Sequence, residues 1–473
     1  MILTIGWKNV WRSKTRSLVV IVAVMLGIFG GVMATGIMQG WVEQRIHASI
    51  YKEISHIQIH NPEYMQNEEI RYTIDNYPKV VNVLDTVSDL KAYSPRVKLF
   101  AMARTSWAVS GFVLNGVDTE KEEKVSEIYK DLVEGEFLTG NDVTPSIVIG
   151  SKAAENLKLL NWQVTPEKLK MIDLKTFPAE VVNKLDSIGT RRYRKEKDFM
   201  NKLKEILDKE EFDTYGEKLA RYFSFYRMRS SIEISLQDKN GVIVHTVFKL
   251  RGVYKTENTT FDGMNAFVER DVLNKYTGLN ENEVHEIAII STDDKSAVKL
   301  AAKLKKYLPG QDILSWRQLS PEIAMYTDFG SLMSYVYVVI ILFALAFGII
   351  NTMMMSVLER VKELGMLMAI GMNKKRVFSM IMTESVFLTL TGAVVGMVFS
   401  GGLVEILSRT GINFSMWSEG FEALGLAAIV YPVVTWYDYV VITVLVIITG
   451  MVASIWPARK ALQLSPVEAL RTD

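Results

Sequence analysis

Four long apolar runs constrain this 473-residue chain more than any other feature of its sequence. Each is long enough to cross a bilayer, which takes about 20 residues in a helix. The alternative is four buried core helices, which we disfavour because whole turns of these runs contain no polar residue. We therefore expect membrane spans at residues 18–40, 331–357, 377–407 and 438–457.

The first run has the alternative of being a cleaved signal peptide. An apolar signal core usually spans about 7–15 residues, whereas this run is longer and follows residues 1–17. We therefore favour an uncleaved membrane anchor.

Lysine and arginine near the ends of the spans predict the orientation of the chain. Residues 1–17 and 358–376 are rich in basic residues, the tail 458–473 contains three more, and residues 408–437 contain only Arg409. Both termini and the 358–376 segment are therefore expected in the cytoplasm. Residues 41–330 and the short loop 408–437 are expected outside.

Residues 41–330 are too long for an unstructured loop, and their pattern predicts an α+β domain. Alternating residues at 54–60 predict a strand with one buried face, on which His56 and His60 lie at the strand surface without a third metal ligand. Asn240-Gly241 predicts a hairpin turn. Residues 286–316 predict a strand, a helix and a second strand.

A stretch at 161–230 differs from the rest of this domain, with 16 basic and 12 acidic residues and few strand signals. It predicts a helical insertion whose apolar stripe packs against its own neighbours. The basic run within it is either a solvated helix face or a docking patch. The stripe comprises Phe199, Leu203, Ile206 and Leu207, and the basic run comprises Arg191, Arg192, Arg194 and Lys195.

Several classes of chemistry are excluded by composition and by missing motifs. The chain has no cysteine and a formal net charge of +1, which excludes thiolate metal sites and nucleic-acid binding by bulk charge. It contains no phosphate-binding G-x-x-x-x-G-K-[ST] loop, no H-E-x-x-H and no G-x-S-x-G. We therefore expect no catalytic residue, metal or cofactor in this chain.

The most informative stretch is E-R-V-K-E-L-G-M-L-M-A-I-G at residues 359–371. Its apolar spacing predicts a short amphipathic helix, with Gly365 allowing a close backbone approach and Gly371 ending the helix. The pattern resembles the coupling helix of MacB/FtsX-type permeases of ATP-binding-cassette (ABC) transporters. That resemblance implies contact with a separate ATPase subunit through Glu359, Arg360, Glu363, Leu364, Gly365, Ala369, Ile370 and Gly371.

Other parts of the chain resemble the same family. Residues 1–17 resemble its cytoplasmic membrane-surface helix, residues 465–471 resemble its C-terminal motif, and one span, a large outer domain and three further spans reproduce its layout. The resemblance implies a MacB-like periplasmic core in a bacterial inner membrane, in contact with membrane lipids. It also implies an ATPase dimer that binds ATP and Mg²⁺, and a second permease copy or a homologue.

Residues 55–64 resemble a segment typical of the lipoprotein-releasing branch, with Ser55 in place of the usual glycine. This implies ATP-driven extraction of lipoproteins by mechanotransmission, with a periplasmic carrier as a further partner. Two alternatives stay open. One is MacB-like efflux of peptides, toxins or drugs, and the other is FtsX-like regulation of a cell-wall hydrolase.

Two features of the spans predict contacts within the membrane. Gly27, Gly31 and Ala34 place small residues on the first span, for helix packing or for cargo contact. Glu384 is a carboxylate in the third span, where a charge is costly without a partner. We expect a structural partner for Glu384 rather than a proton relay.

Overall fold

The computed structural model describes residues 14–140, 144–173 and 177–463. Most of the predicted surface helix (1–17) and the end of the predicted tail (458–473) lie outside these residues. The described residues form two compact units. The membrane unit comprises the chain up to Arg45, Glu322–Ser418 and the chain from Ala427 onward, and the outer unit comprises Ile46–Pro321 and Glu419–Leu426.

Four helices of the membrane unit are long and apolar enough to cross a membrane, judged by length and composition. Each runs beyond its predicted span at both ends, because helical hydrogen bonding continues from the apolar residues into polar turns. We name these helices TM1 (Lys14–Ala48), TM2 (Pro321–Glu359), TM3 (Lys374–Thr410) and TM4 (Trp436–Gln463).

Two interruptions that the sequence suggests are not present. Pro457 lies inside TM4, which continues to Gln463, because a proline removes one backbone hydrogen bond without having to end the helix. TM3 is continuous past Gly392 and Gly396. A Cβ on Gly392 would lie 2.7 Å from Val24, so these glycines allow TM1 and TM3 to approach closely.

The described part of the outer unit contains thirteen strands. They are β1 (Ile57–His60), β2 (Leu90–Arg104), β3 (Val109–Val117), β4 (Leu132–Gly135), β5 (Ser146–Gly150), β6 (Leu160–Gln163), β7 (Arg192–Tyr193), β8 (Ser224–Tyr226), β9 (Ser231–Gln237), β10 (Ile243–Tyr254), β11 (Asn265–Glu269), β12 (Glu286–Ser291) and β13 (Asp312–Ser315). In the membrane unit, β14 (Ile412–Asn413) pairs with β15 (Ile429–Val430) between TM3 and TM4.

Short helices connect these strands. Those of the main body are Tyr64–Asn67, Tyr77–Leu84, Thr119–Val125, Ser151–Asn156, Thr259–Met264, Arg270–Thr277, Asp294–Tyr307 and Trp316–Leu319, with a 3₁₀ turn at Ile128–Lys130. A 3₁₀ turn at Ser415–Trp417 and a helix at Ser418–Ala423 lie between TM3 and TM4.

Six strands of the outer unit form a closed ring in the order β2-β3-β11-β5-β10-β9 and back to β2. The predicted hairpin is β9–β10, with Gly241 at a φ of +84° in its turn. β9 closes the ring by also pairing with β2 at Met102–Arg104. Ring closure leaves these strands without a free edge, and alternate side chains of β9 fill the interior.

Three further strands extend the sheet outward from β2 in the order β2-β12-β1-β13, and β4 pairs with β10. The predicted strand–helix–strand unit is β12, Asp294–Tyr307 and β13, with β1 antiparallel between its two strands. Because β1 is central, both of its faces are buried, and the prediction of one buried face was wrong. His56 and His60 are 0% and 1% exposed rather than at the strand surface.

A buried ion cluster joins β2 to its neighbours. Arg96 pairs with Glu122 at 2.6 Å and with Glu286 at 2.8 Å, and Lys98 lies 3.0 Å from Glu286. Burial alone would raise the pKa of Glu286, but Lys98 and Arg96 hold it at about 2. Glu286 is therefore ionised at neutral pH although it is buried.

The 161–230 insertion has a core of its own, in which Phe199, Leu203 and Leu207 are buried and Ile206 is half-buried. Its sheet, β7-β6-β8, has no counterpart in the sequence prediction. The helix that contains most of the apolar stripe ends at Ile206, and Asp208 caps a second helix through a reciprocal pair with Glu211. The insertion's helices are Pro166–Lys170, Ala179–Leu185, Glu196–Ile206 and Lys209–Phe223, with a 3₁₀ turn at Asp186–Ile188.

TM1 leads into the outer unit through a strained residue. A π-helix at Ser49–Ile54 follows TM1 and ends at Ser55, whose φ of 64° and ψ of 174° are a conformation that glycine favours. Ser55 is 2% exposed, and its hydroxyl donates a hydrogen bond to the Ile57 carbonyl at 3.1 Å. The chain therefore enters β1 through a backbone conformation at Ser55 that is strained for any residue with a Cβ.

We predict that Ser55→Gly raises the free energy of unfolding by about 1 kcal/mol, because strain of roughly 1–3 kcal/mol exceeds the entropy cost of glycine. Ser55→Ala is the matched control, because it keeps the strained Cβ and removes the hydroxyl, and it should destabilise the protein. Thermal unfolding of the full chain in detergent measures both. A glycine variant no more stable than the alanine variant would show that Ser55 is unstrained.

Candidate functional site

The segment between TM2 and TM3 contains a nine-residue helix, Val361–Ala369, rather than one helix over the predicted 358–376. TM2 ends at Glu359, Arg360 is non-helical, and Asn373 precedes TM3 with its side-chain oxygen accepting a hydrogen bond from the Lys375 amide at 3.0 Å. We call this helix the coupling-segment helix. The helical conformation is interrupted before and after this helix, so it is a separate short element.

Gly371 ends the coupling-segment helix, as predicted. Its φ is +100°, its amide bonds to the Met368 carbonyl at 3.1 Å, and the Met372 amide bonds to the Leu367 carbonyl at 3.0 Å. This pair of bonds is a Schellman motif, which requires a left-handed residue at the position of Gly371. The helix therefore has a fixed C-terminus close to its neighbouring spans.

The coupling-segment helix has one buried and one exposed face. Leu364 and Gly365 are buried, although the family resemblance places both in contact with an ATPase. Lys362, Met366, Ala369 and Ile370 are exposed and follow one another at helical spacing. Ile370 is 80% exposed and forms an apolar end to this face.

Arg360 turns towards TM3. Its Nη1 lies 2.9 Å from Oε2 of Glu384, and its Nε lies 3.3 Å from Oε2 of Glu363. Glu384 therefore has the structural partner that the sequence analysis expects, and that partner is a residue predicted to contact an ATPase. Sequence reasoning missed the pair because Arg360 lies between two helices and Glu384 lies within TM3, 24 residues later in the chain.

A second contact ties the start of TM3 to the end of TM4. The Lys374 Nζ donates a hydrogen bond to the Leu462 carbonyl at 3.1 Å. Farther along, the hydroxyls of Ser385 and Ser454 hydrogen-bond to each other, and a Cβ on Gly450 would lie 2.7 Å from the Thr389 hydroxyl. The two helices are therefore joined along a seam of small and polar residues.

The small residues of TM1 pack against its neighbours. A Cβ on Gly27 would lie 3.0 Å from Leu345 of TM2, and one on Gly31 would lie 3.0 Å from Ile442 of TM4. Ala34 is half-buried. These contacts support helix packing, one of the two roles predicted for these residues, and cargo contact stays a prediction.

The basic run of the insertion lies at the surface. Arg191, Arg192, Arg194 and Lys195 are exposed, and among the described residues none has a carboxylate within 4 Å. Three of the guanidinium groups lie over aromatic rings. The Arg194 guanidinium is 4.2 Å from the ring centroid of Trp107, a residue of the β2–β3 connection that the sequence analysis did not single out.

Within the described residues, no group of three histidine, cysteine, aspartate or glutamate residues is placed to hold a metal ion. The candidate site of the membrane unit consists of the exposed face that ends at Ile370 and the ion pair of Arg360 with Glu384. The candidate site of the outer unit is the exposed arginine patch.

Residues 335–466 match the family of FtsX-like permease C-terminal domains. The matched range includes most of TM2, the coupling-segment helix, TM3 and TM4. The chain is 34% identical over 126 residues to the macrolide export ATP-binding/permease protein MacB of Chlorobium luteolum, covering 27% of this chain and 16% of that protein. It is 26% identical over 232 residues to an uncharacterized ABC transporter permease of Methanocaldococcus jannaschii, covering 48% of this chain and 55% of that protein.

A third relative is the pyoverdine export ATP-binding/permease protein PvdT of Pseudomonas fluorescens, 33% identical over 129 residues that cover 27% of this chain and 16% of the relative. The chain thus spans less than two thirds of the length of each of these curated relatives. Among solved structures, the extracellular domain of YknZ from Gram-positive bacteria aligns with 55% of this chain and 99% of its own length, at 12% identity and a TM-score of 0.29. The periplasmic region of MacB from Actinobacillus actinomycetemcomitans aligns with 57% of this chain and 92% of its own length, at the same identity and TM-score.

We predict that Gly371→Ala destabilises the full chain by about 1 kcal/mol, because alanine is strained at a left-handed φ although the space around Gly371 is open. Gly402→Ala is the matched control, because Gly402 also has open space but lies within the helix of TM3. Thermal unfolding in detergent should show a loss for Gly371→Ala and no loss for Gly402→Ala. Equal behaviour of the two variants would show that the Schellman motif does not constrain the segment.

Proposed function

We propose that this chain, which belongs to the MacB/FtsX-type permeases of ABC transporters, is a membrane subunit through which a separate ATPase drives transport. One observation supports the proposal most strongly. The coupling-segment helix turns its buried face to its own spans and leaves an apolar end, Met366 and Ile370, exposed. Exposed apolar residues at the end of a short fixed helix suit insertion into a groove of a partner protein.

The division of labour follows from the residues present. ATP and Mg²⁺ are proposed to be bound by an ATPase dimer, as the resemblance of residues 359–371 to the family's coupling helix implies. This chain supplies one surface that receives the ATPase, and a second copy or a homologue supplies another. The movement enters at Ile370 and reaches TM3 through the ion pair of Arg360 with Glu384. The change between nucleotide states requires contacts that differ between those states.

We propose lipoproteins of the inner membrane as the cargo, passed to a periplasmic carrier by mechanotransmission. The sequence support for this branch lies in residues 55–64, of which His56, Gln58, His60 and Tyr64 are buried. These residues therefore maintain the core around β1 and act on cargo only through the fold. The arginine patch with Trp107 is proposed as the docking surface for an acidic carrier or cargo.

Export is the second candidate, because relatives of the chain are named for the export of macrolides and pyoverdine. Mass spectrometry of the purified complex distinguishes the two candidates. Bound acylated peptides support lipoprotein extraction, and a bound small molecule supports export. A co-purified cell-wall hydrolase without either would instead indicate the regulatory alternative.

We predict that Ile370→Asp weakens association with the ATPase about tenfold or more, because a carboxylate would be buried without a partner in an apolar groove. The measurement is the dissociation constant between the full chain in nanodiscs and the ATPase subunit that co-purifies with the wild-type chain.

Met416→Asp is the matched control, because Met416 is 85% exposed and lies between TM3 and TM4. It should leave the dissociation constant unchanged. If Ile370→Asp also left it unchanged, the coupling-segment helix would be a membrane-surface helix and the proposed contact would be wrong.

A further inference from the structure

A small cavity of about 60 Å³ lies between TM1, TM2 and TM4, within the membrane unit. Its polar and aromatic lining consists of Thr35 and Gln39 of TM1, Ser334 and Tyr335 of TM2, and Tyr437 and Asp438 of TM4. These residues lie close to the expected outer boundaries of the first, second and fourth spans, at residues 40, 331 and 438. The cavity is therefore expected at the level of the lipid head groups on the outer side of the bilayer.

Thr35 presents an unpaired hydroxyl to this cavity. The residue is 5% exposed, and among the described residues its hydroxyl makes no hydrogen bond. By contrast, the hydroxyls of Thr352, Thr389 and Ser400 each donate a hydrogen bond to the carbonyl four residues earlier, which is how a hydroxyl is usually satisfied within a span. Thr443 of TM4 also lacks a partner, but its oxygen is enclosed by protein and does not line the cavity.

Asp438 gives the cavity a negative charge that no lysine or arginine of the lining balances. Its Oδ2 accepts hydrogen bonds from the amide of Thr435 at 2.9 Å and from the Thr435 hydroxyl at 2.6 Å. Its Oδ1 has no hydrogen-bond partner among the described residues, and neither has the side-chain amide of Gln39. A carboxylate oxygen, an amide oxygen and a hydroxyl oxygen thus line one cavity and are available to a ligand.

We propose that this cavity binds the head group of a phospholipid that carries a primary amine, such as phosphatidylethanolamine. A primary ammonium has a positive charge and three N–H donors, which match the oxygens of Asp438, Gln39 and Thr35. A quaternary ammonium has the charge but no N–H donor, and the head group of phosphatidylglycerol has no positive charge. The chemistry of the lining therefore favours the primary amine over both.

The rest of the cavity suits the remainder of such a lipid. Tyr335 and Tyr437 are 60% and 71% exposed, and tyrosine is typical of the boundary between head groups and acyl chains. Val338, Ile442 and Leu445 form the apolar part of the lining. The cavity is too small for acyl chains, which would stay in the bilayer. The inference goes beyond the proposed function, because it requires only that the four helices cross a membrane.

The test is native mass spectrometry of the full chain in detergent, titrated with phosphatidylethanolamine, phosphatidylcholine or phosphatidylglycerol of identical acyl chains. The first molecule of phosphatidylethanolamine should bind about tenfold more tightly than either other lipid, because hydrogen bonds to a charged group are the strong ones. Equal affinities for the three lipids would overturn the proposal, since water or any lipid would then fill the cavity equally well.

Two variants of the cavity test the contacts themselves. Asp438→Asn removes the charge but still accepts the hydrogen bonds from Thr435, and it should weaken phosphatidylethanolamine binding about tenfold. Thr35→Val removes the hydroxyl at nearly constant volume and should weaken that binding about threefold. The affinity for phosphatidylcholine should stay unchanged in both variants, which shows that the fold is retained.

Glu405→Gln is the matched control, because Glu405 is a carboxylate near the outer end of TM3 that pairs with Arg409 and does not line the cavity. It should leave the affinity for all three lipids unchanged. An unchanged affinity for phosphatidylethanolamine in Asp438→Asn or Thr35→Val would overturn the proposal. A loss in Glu405→Gln equal to that in Asp438→Asn would also overturn it, since the preference would then come from surface charge in general.

Discussion

The ion pair between Arg360 and Glu384 places opposite charges between the end of TM2 and the third turn of TM3. A carboxylate within a span is costly unless it is paired with a cation. The Arg360 guanidinium is the cation that pairs with the Glu384 carboxylate. Arg360 is also the single non-helical residue between TM2 and the coupling-segment helix. The direction in which that helix leaves the membrane unit therefore depends on this pair.

The packing of the spans makes such a contact useful for transmitting movement. Gly392 and Gly396 of TM3 bring this helix close to TM1, and TM3 is joined to TM4 by the serine pair and by Lys374. Closely packed elements move together rather than deforming independently. A force applied at Ile370 is therefore expected to displace TM3 and TM4 as a group.

Local patterns in the sequence predicted much of this structure, and contacts between distant residues account for what they missed. The apolar runs predicted the four spans, and the 359–371 motif predicted a helix that ends at Gly371, because both signals are complete within a few turns. The closure of β9 on β2, the sheet of the insertion and the Arg360–Glu384 pair join residues far apart in the chain. The burial of His56 and His60 follows from the central position of β1, which strand periodicity alone does not specify.

The most direct measurement of the central claim is cargo-stimulated ATP hydrolysis by the reconstituted complex carrying Arg360→Gln, Glu384→Gln or both substitutions. If the pair transmits movement, Arg360→Gln should reduce the stimulation strongly, because it leaves the Glu384 carboxylate unpaired. Glu384→Gln should have a mild effect, because its amide oxygen still accepts a hydrogen bond from Arg360. The double variant should recover much of what Arg360→Gln loses. Effects that simply add in the double variant would show that the two residues act independently and would contradict this account.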